Sequence, residues 1–231
     1  MRATIVFDLD GTLVDTAPDL IDTLNVVLTQ EGLPAVPFAI ARPMIGGGAR
    51  RMIERAVAVE GRIPPPAEID RMYGAFIDYY AAHIADRSRP FPALQPTLDD
   101  LAAAGHRLAV CTNKLEWLAK RLLTMLKLAD RFAAICGQDT FGVQKPDPEM
   151  LTRTILQAGG DPACAVMIGD SGTDVRTARA ACVPVIAVDF GYADVPLPAL
   201  KPDRIISSYL ELADAIKAVS TAASPPPTGV H

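Results

Sequence analysis

Strand-like apolar runs alternate with helical patterns along most of this chain, and this alternation limits the folds open to it. The runs are rich in β-favouring residues and stop at polar residues. They are ATIVFDLD, HRLAVCTN, CAVMIGDS, PVIAVDFG and the shorter DRIISS, with the helical patterns TLDDLAAAG, LEWLAKRLLTMLKL, PEMLTRTILQAGG and DVRTARAA between them. This order predicts an α/β fold with a Rossmann-like, doubly wound parallel sheet that helices cover on both faces.

One segment breaks the alternation. From about residue 16 to residue 86 there is no strand-like run, only the helical patterns APDLIDTLNVVLTQEG, GARRMIERAVAVEG and AEIDRMYGAFIDYYAAHI. We predict an all-helical cap domain over 16–86, inserted into a core formed by 1–15 and 87–222. A long helical crossover packed permanently on the core is the alternative. The Pro-rich end, 223–231, predicts a disordered tail.

Composition argues against several classes of protein. The net charge of −5 argues against a nucleic-acid or membrane-surface partner, and charged residues interrupt every long apolar stretch. The start of the chain becomes acidic too soon for a secretory signal, so we expect a cytoplasmic protein. With three histidines and with four cysteines that form no C-x-x-C pair, the chain has little from which to build a zinc site or a Ser-His-Asp triad. Buried free thiols are expected instead.

Polar side chains are predicted to meet where the parallel strands end. Asp8 and Asp10 lie two apart at the end of the first run and therefore point to the same face. Thr112 and Asp170 end two other runs. Because ligands of open parallel sheets bind outside the carboxyl ends of the strands, at the switch point of strand order, we expect these residues to share one crevice.

Two further residues are expected in this crevice. Lys145 stands just before a predicted helix, and Asp174 follows Asp170 by four residues. Four carboxylates against one lysine leave about three uncompensated negative charges, too many to stay ionised in a crevice unaided. A divalent cation would neutralise them, and Mg²⁺ is the expected one because it accepts few carboxylates and keeps waters. Such a cation would also share oxygens with a phosphate.

These residues fall in four motifs, DLDGTLVD, the Thr of HRLAVCT, the Lys of QKPDP, and GDSGTD. Their order and spacing resemble the haloacid dehalogenase superfamily. The resemblance implies that Asp8 is a nucleophile that forms an aspartyl-phosphate and that Asp10 is the general acid and base. It also implies that Mg²⁺ binds Asp8, the main-chain carbonyl of Asp10, and Asp170, with Asp174 nearby.

The same resemblance implies how the phosphoryl group is held. Thr112 and Lys145 are expected to bind its oxygens. The main-chain amides of Gly11 and Thr12, where the chain turns, are expected to face them as well. Asn113 is a further candidate for orienting the nucleophile or the phosphate.

Each of these residues also has a purely structural interpretation. The DGT segment is compatible with an ordinary Asx turn, and Lys145 with a solvated loop lysine. Asp170 and Asp174 would suit the N-terminus of the helix that follows them. The joint occurrence of four motifs in order favours the catalytic interpretation.

The second aspartate indicates the reaction. Within the superfamily that the chain resembles, dehalogenases lack Asp10 and phosphotransfer ATPases carry lysine there, so phosphoester chemistry is implied. The segment RPMIGGGARRMIERA, with VDFGYAD and LKPDRIISS, resembles the phosphoglycolate phosphatase branch, which implies 2-phosphoglycolate as the substrate. In the first segment Arg42, Arg50 or Arg51 is predicted to reach the substrate carboxylate, with Arg50 as the chosen candidate. Solvated arginines are the alternative.

Three other functions remain compatible with these motifs. One is a phosphatase for another small metabolite, such as a sugar phosphate or pyrophosphate. Another is a β-phosphoglucomutase-like phosphotransferase, and the third is a catalytically silent binding protein with the same fold. The expected partner is a small phosphorylated metabolite, and the expected state is a monomer or a homodimer.

Overall fold

The structure is a computed structural model that describes residues 2–193 and 195–222. Its strands are β1 (Thr4–Phe7), β2 (Val14–Asp15), β3 (Arg89–Pro90), β4 (Arg107–Cys111), β5 (Ala134–Cys136), β6 (Ala165–Gly169), β7 (Val185–Val188) and β8 (Arg204–Ile206). Its α-helices are α1 (Ala17–Gln30), α2 (Phe38–Ala41), α3 (Ala49–Val59), α4 (Pro66–Ala82), α5 (Leu94–Ala103), α6 (Glu116–Met125), α7 (Pro148–Gln157), α8 (Gly172–Ala180), α9 (Leu197–Leu200) and α10 (Leu212–Ala222). Short 3-10 helices lie at Arg42–Met44, Ala129–Arg131, Pro162–Cys164 and Tyr209–Glu211.

The central sheet has six parallel strands in the order β5-β4-β1-β6-β7-β8. The chain adds β4 and β5 on one side of β1 and then β6, β7 and β8 on the other, so the strand order reverses at β1. Every residue of β1, β6 and β7 is buried, as expected for strands with helices on both faces. The predicted doubly wound parallel sheet is confirmed.

A second, two-stranded sheet joins the two stretches of chain that connect the core with the inserted segment. We call this pair of stretches the neck. The strands β2 and β3 pair antiparallel, with Val14 opposite Pro90 and Asp15 opposite Arg89. The carboxylate of Asp19 strengthens this neck, because it accepts hydrogen bonds from the backbone N–H groups of residues 87 and 88. The two chain crossings between core and cap are therefore held side by side.

The helices α1 to α4 lie between β2 and β3 and form the predicted helical cap. Residues 16–86, all of them described, contain no strand. Helix α4 packs against α1 and α3, and the buried side chains of this unit, such as Met52 and Phe76, form one continuous cluster with core residues such as Phe7. On the basis of the paired neck, we propose 16–86 as the cap domain and 1–15 with 87–222 as the core.

The cysteines are free, as expected, but only some are buried. Cys111 and Cys136 are buried, Cys164 is half-buried and Cys182 is exposed. The expectation of burial was wrong for Cys182 because this residue follows α8 in a left-handed conformation (φ 55°), at the position where a helix end meets solvent.

Two other expectations concern the C-terminal tail and membrane-spanning helices. The predicted disordered tail, 223–231, lies outside the described residues. Among the helices of the described residues, none combines the length and apolar character that a membrane span requires.

Candidate active site

Three neighbouring strands deliver polar side chains to one edge of the sheet. Asp8 directly follows β1, Thr112 follows β4 and Asp170 follows β6. All three side chains are buried. Because β1 pairs with both β4 and β6, the three residues lie at the point where the strand order reverses, as predicted.

The Lys145 ammonium lies between two buried carboxylates. Its Nζ is 2.9 Å from Asp8 Oδ1 and 2.6 Å from Asp174 Oδ1, and Lys145 is only 2% exposed. Burial disfavours its charge, but the carboxylates of Asp174 and Asp8 outweigh burial and raise the pKa of Lys145 above its usual value. The interpretation of Lys145 as a solvated loop lysine is therefore wrong.

The carboxylates at the strand ends are held in an environment that opposes their charge. Burial, with the charges of Asp174 and Asp10, raises the pKa of Asp8 to about 7, although the neighbouring Lys145 acts to lower it. Burial, with further contributions from Asp174 and Asp8, likewise raises the pKa of Asp170 well above its usual value. The single ammonium of Lys145 cannot balance the charges of Asp8, Asp170 and Asp174, so negative charge on this edge lacks a counter-charge when these carboxylates are ionised.

Asp170 is fixed by the turn that follows β1 and by the loop after β7. The hydroxyl of Thr12 donates to its Oδ1 at 2.9 Å, and the backbone N–H of Tyr192 donates to its Oδ2 at 2.6 Å. Gly11 lies directly against it with φ +82°, and a Cβ on this residue would be 2.4 Å from Asp170 Oδ2. Glycine is therefore required here by both conformation and space.

The amides of this turn are not arranged as predicted. The N–H of Gly11 donates to the carbonyl of Val14 at 3.0 Å, and the N–H of Thr12 donates to that of Leu9 at 3.4 Å. These amides close the turn rather than face a phosphate. Gly11 and Thr12 instead act on the site through close approach to Asp170 and through the Thr12 hydroxyl.

Asp174 combines the two interpretations made from the sequence. Its Oδ2 accepts hydrogen bonds from the backbone N–H and the hydroxyl of Ser171, at 3.1 and 2.6 Å. The Ser171 Oγ accepts from the Asp174 N–H in return, which makes a capping box at the start of α8. Because its Oδ1 pairs with Lys145, Asp174 both caps the helix and orients the ammonium.

The same edge suits a hard divalent cation. Asp8, Asp170 and Asp174 each offer a carboxylate oxygen, and these oxygens lie within 4.8 Å of one another. An all-oxygen, anionic donor set is the kind that Mg²⁺ prefers. The residues present therefore fit the cation that the sequence predicts.

The carboxylate of Asp10 lies apart from this cluster. Its Oδ1 accepts a hydrogen bond from the Thr16 hydroxyl at 2.7 Å and lies 3.0 Å from Lys114 Nζ. The Asp10 side chain is 13% exposed, against 5% for Asp8. Asp10 thus faces the space beneath the cap.

Lys114 is a site residue that the sequence analysis did not identify. Besides contacting Asp10, its Nζ donates to the Tyr80 hydroxyl at 3.1 Å and lies 4.5 Å from the centroid of that ring. Lys114 is 8% exposed. It directly follows Thr112 and Asn113, and a lysine two residues after a strand-end threonine is the sequence signal for this position.

A cavity of about 40 Å³ lies between this edge and the cap. Asp8 and Asp10 form part of its floor, and apolar cap residues such as Met52 and Phe76 form part of its wall. Lys114 is the cation among the residues that line it. The cavity therefore offers carboxylates, one ammonium and an apolar cover to a small ligand.

The structure does not bring Arg50 into this cavity. Its guanidinium forms an exposed ion pair with Asp70 and lies 5.3 Å from the centroid of the Tyr73 ring. Arg42 is also engaged elsewhere, since it donates to the carbonyls of Phe190 and Gly191 at 3.1 and 2.7 Å. No arginine is among the described residues that line the cavity, so the predicted contact of Arg42, Arg50 or Arg51 with a ligand there is not seen.

Asn113 holds the backbone of Lys145. Its Nδ2 donates to the Lys145 carbonyl at 3.0 Å, and its Oδ1 accepts from the Lys145 N–H at 2.9 Å. We expect Asn113→Ala to lower kcat by about 10- to 100-fold, because Lys145 loses its fixed position. Steady-state kinetics check this.

Asn25 supplies the matched control for this variant. In the cap it binds the backbone of Val36 in the same two-bonded way, at 3.1 and 2.8 Å. Asn25→Ala and Asn113→Ala should each cost about 1–3 kcal/mol of stability, but only the second should lower kcat. Equal kcat losses in both would show that Asn113 acts through general stability alone.

The fold and site together define a class: an α/β protein with a helical cap and with buried carboxylates and a lysine at the switch point of its parallel sheet. The sequence model of the haloacid dehalogenase-like hydrolases matches residues 5–188, which include both the core motifs and the cap. The chain belongs to this family and is therefore a hydrolase.

Relatives that are similar to this chain over nearly its whole length are named phosphoglycolate phosphatase. A phosphoglycolate phosphatase of Mesorhizobium japonicum is 48% identical over 219 residues, covering 93% of this chain and 96% of the relative. One of Caulobacter vibrioides is 45% identical over 228 residues, covering 99% and 96%. The crystal structure of a predicted phosphoglycolate phosphatase from Haemophilus somnus superposes with a TM-score of 0.85 at 28% identity, covering 92% of this chain and 97% of that one.

Proposed function

We propose that this hydrolase is a Mg²⁺-dependent phosphatase that converts 2-phosphoglycolate to glycolate and phosphate through an aspartyl-phosphate. The observation that carries the proposal is the buried group of Asp8, Lys145 and Asp170 at the switch point, beneath a small capped cavity. The relatives named phosphoglycolate phosphatase support the choice of substrate.

In the first step, Asp8 attacks the phosphorus. Its Oδ1 is occupied by Lys145 and by the Leu9 N–H, at 2.9 and 2.7 Å, so Oδ2 is the atom left to attack. The bond between phosphorus and the glycolate oxygen breaks as the bond to Asp8 forms. A carboxylate is a weak nucleophile, and this fixed orientation is how the site compensates.

Asp10 handles the proton in both steps. Its carboxylic acid form protonates the departing glycolate oxygen, and its carboxylate then takes a proton from the water that attacks the aspartyl-phosphate. That attack breaks the bond between phosphorus and Asp8 and releases phosphate. Thr16 and Lys114 both contact Oδ1, which leaves Oδ2 of Asp10 for proton exchange.

Lys145 and Thr112 face the charge on the phosphoryl group. Thr112 Oγ1 accepts a hydrogen bond from the Lys114 N–H at 3.2 Å, so its own proton remains for a phosphoryl oxygen. Asp8, Asp170 and the carbonyl of Asp10 would hold Mg²⁺, with Asp174 beside them. When bound, the cation neutralises charge on the phosphoryl oxygens and the carboxylates.

The experiment that tests this function is a substrate panel with purified protein. With Mg²⁺, we expect kcat/KM for 2-phosphoglycolate to exceed that for glucose phosphates and pyrophosphate by at least about 100-fold, because the cavity is small and contains one ammonium. Chelation of Mg²⁺ should abolish phosphate release. A preference for a hexose phosphate, or full activity in chelator, would contradict the proposal.

A further inference from the structure

We infer that Lys114 binds the carboxylate of the substrate, so that the loop after β4, rather than a cap arginine, selects acid-bearing phosphomonoesters. This inference rests on the proposed phosphatase function. It adds to that function a residue that determines specificity.

The hydrogen bonding of Lys114 leaves room for a ligand. An ammonium has three N–H donors. One is directed to the Tyr80 hydroxyl, and a second can serve Asp10 Oδ1, 3.0 Å away. Within residues 2–193 and 195–222 no third partner is found for Nζ, and Lys114 lines the cavity.

The other basic groups considered for this role are engaged elsewhere or lie outside the cavity, as does Arg51, which is exposed and is not among the residues that line it. Lys145 lies between Asp8 and Asp174, and in the mechanism it faces the phosphoryl group. Arg50 is paired with Asp70 at the surface, and Arg42 is bound to backbone carbonyls. Lys114 is therefore the cation placed to meet a second anionic group.

The surroundings of Lys114 make such a contact strong. Its side chain is 5% exposed, and cavity walls such as Phe76 and Leu118 are apolar. Charges interact more strongly where water is excluded, and a buried carboxylate without a partner is costly. The site would therefore penalise a substrate acid that lacked this ammonium.

The order of the groups along the site matches the order of atoms in the substrate. Asp8 attacks the phosphorus, Asp10 protonates the ester oxygen, and Lys114 lies against Asp10 at 3.0 Å. In 2-phosphoglycolate a single CH₂ group separates the ester oxygen from the carboxylate. A short acid therefore places its carboxylate near Lys114 while its phosphoryl group lies at Asp8.

Tyr80 links this recognition to the cap. It lies in α4, is 1% exposed, and its hydroxyl accepts the hydrogen bond from Lys114. The ammonium is thus oriented from both sides, by Asp10 of the core and by Tyr80 of the cap.

The test compares 2-phosphoglycolate with ethyl phosphate, which has a methyl group in place of the carboxylate. We expect Lys114→Met to reduce the wild-type preference for 2-phosphoglycolate by about 100-fold, mainly through a higher KM for that substrate. Lys120→Met is the matched control. Lys120 is an exposed lysine of α6, paired with Glu116, and its removal should keep the wild-type preference.

A second variant and a second measurement separate recognition from structure. Lys114→Gln keeps a hydrogen-bond donor without the charge and should show the same loss of preference, and calorimetry should show weaker binding of glycolate to both variants. Equal losses of kcat on both substrates, with the preference and glycolate affinity unchanged, would mean that Lys114 acts only through Asp10 and would overturn the inference. A wild-type enzyme that hydrolyses ethyl phosphate as readily as 2-phosphoglycolate would refute both the preference and its assignment, whereas a failed inference alone leaves the wild-type preference in place.

Discussion

Asp8→Asn should abolish phosphate release from 2-phosphoglycolate, lowering kcat by at least about 10⁴-fold, while the protein stays folded. The asparagine amide is not a nucleophile, so no aspartyl-phosphate can form. Its carbonyl oxygen can still accept hydrogen bonds from the Leu9 N–H and Lys145, which bind Oδ1 in the wild type. The geometry of the site should therefore survive the change.

The stability of this variant should depend on pH in a defined way. Burial raises the pKa of Asp8 from 3.8 to about 7, so the metal-free folded protein binds this proton more tightly than the unfolded chain does. Ionisation of Asp8 then lowers the stability of the wild type as pH rises from about 4 to about 7. Asp8→Asn lacks this loss, and urea unfolding of metal-free protein at pH 5 and pH 8 should show the variant gaining relative stability at the higher pH.

The control for Asp8→Asn is the same substitution at an exposed aspartate. Asp161 accepts a hydrogen bond from the Ala163 N–H at 2.9 Å and lies outside the site, so Asp161→Asn should retain full kcat. Mass spectrometry of protein quenched during turnover should find the phosphoryl group on the wild type and on Asp161→Asn, but not on Asp8→Asn. A residual rate above roughly 1% of wild type in Asp8→Asn would show that another group is the nucleophile.

The sheet and the floor of the site could be predicted because their signals are local. Apolar runs that stop at Asp8, Thr112 and Asp170 mark the strand ends, and the topology of a parallel sheet brings those ends together. The long helices of the cap were predicted to within a few residues, since their apolar positions repeat with the helical period.

The elements that were missed depend on contacts distant in sequence. The strand Ala134–Cys136 has three residues, all buried, and this apolar run is too short to be recognised as a strand in the sequence. The strands Val14–Asp15 and Arg89–Pro90 have two residues each, too few to form a recognisable apolar run. They pair with each other although the whole cap separates them in the sequence.

The site residues whose position or role was predicted wrongly also depend on contacts that the local sequence does not reveal. Lys114 becomes part of the site through Tyr80, which belongs to the cap. The predicted role of the Gly11 and Thr12 amides failed because turn closure uses those amides first. The orientation of Arg50 toward Asp70 is set by the packing of α3 on α4, which periodicity does not reveal.

Lys145→Met should both inactivate and destabilise the protein. The lysine is 2% exposed and is paired with Asp8 and Asp174. Breaking a buried pair by removing one partner leaves uncompensated charge and typically costs about 3–5 kcal/mol. At pH 8 and without Mg²⁺, we therefore expect a fall of about 10 °C in Tm, and with Mg²⁺ a loss of kcat of at least about 10³-fold, because the phosphoryl group loses its ammonium.

The double variant Lys145→Met/Asp174→Asn separates these two effects. Removal of the Asp174 charge takes away one of the two carboxylates that Lys145 neutralises, so part of the lost stability should return. Activity should not return, because the phosphoryl group still faces no ammonium.

Protonation of Asp8 should also restore part of the stability that Lys145→Met loses. Lys145 lowers the pKa of Asp8, so the loss of Lys145 raises that pKa further. The stability deficit of Lys145→Met should therefore be smaller at pH 5 than at pH 8. If Lys145→Met is as stable as wild type at pH 8, the buried ammonium does not hold these carboxylates, and the charge balance on which the proposed mechanism depends is wrong.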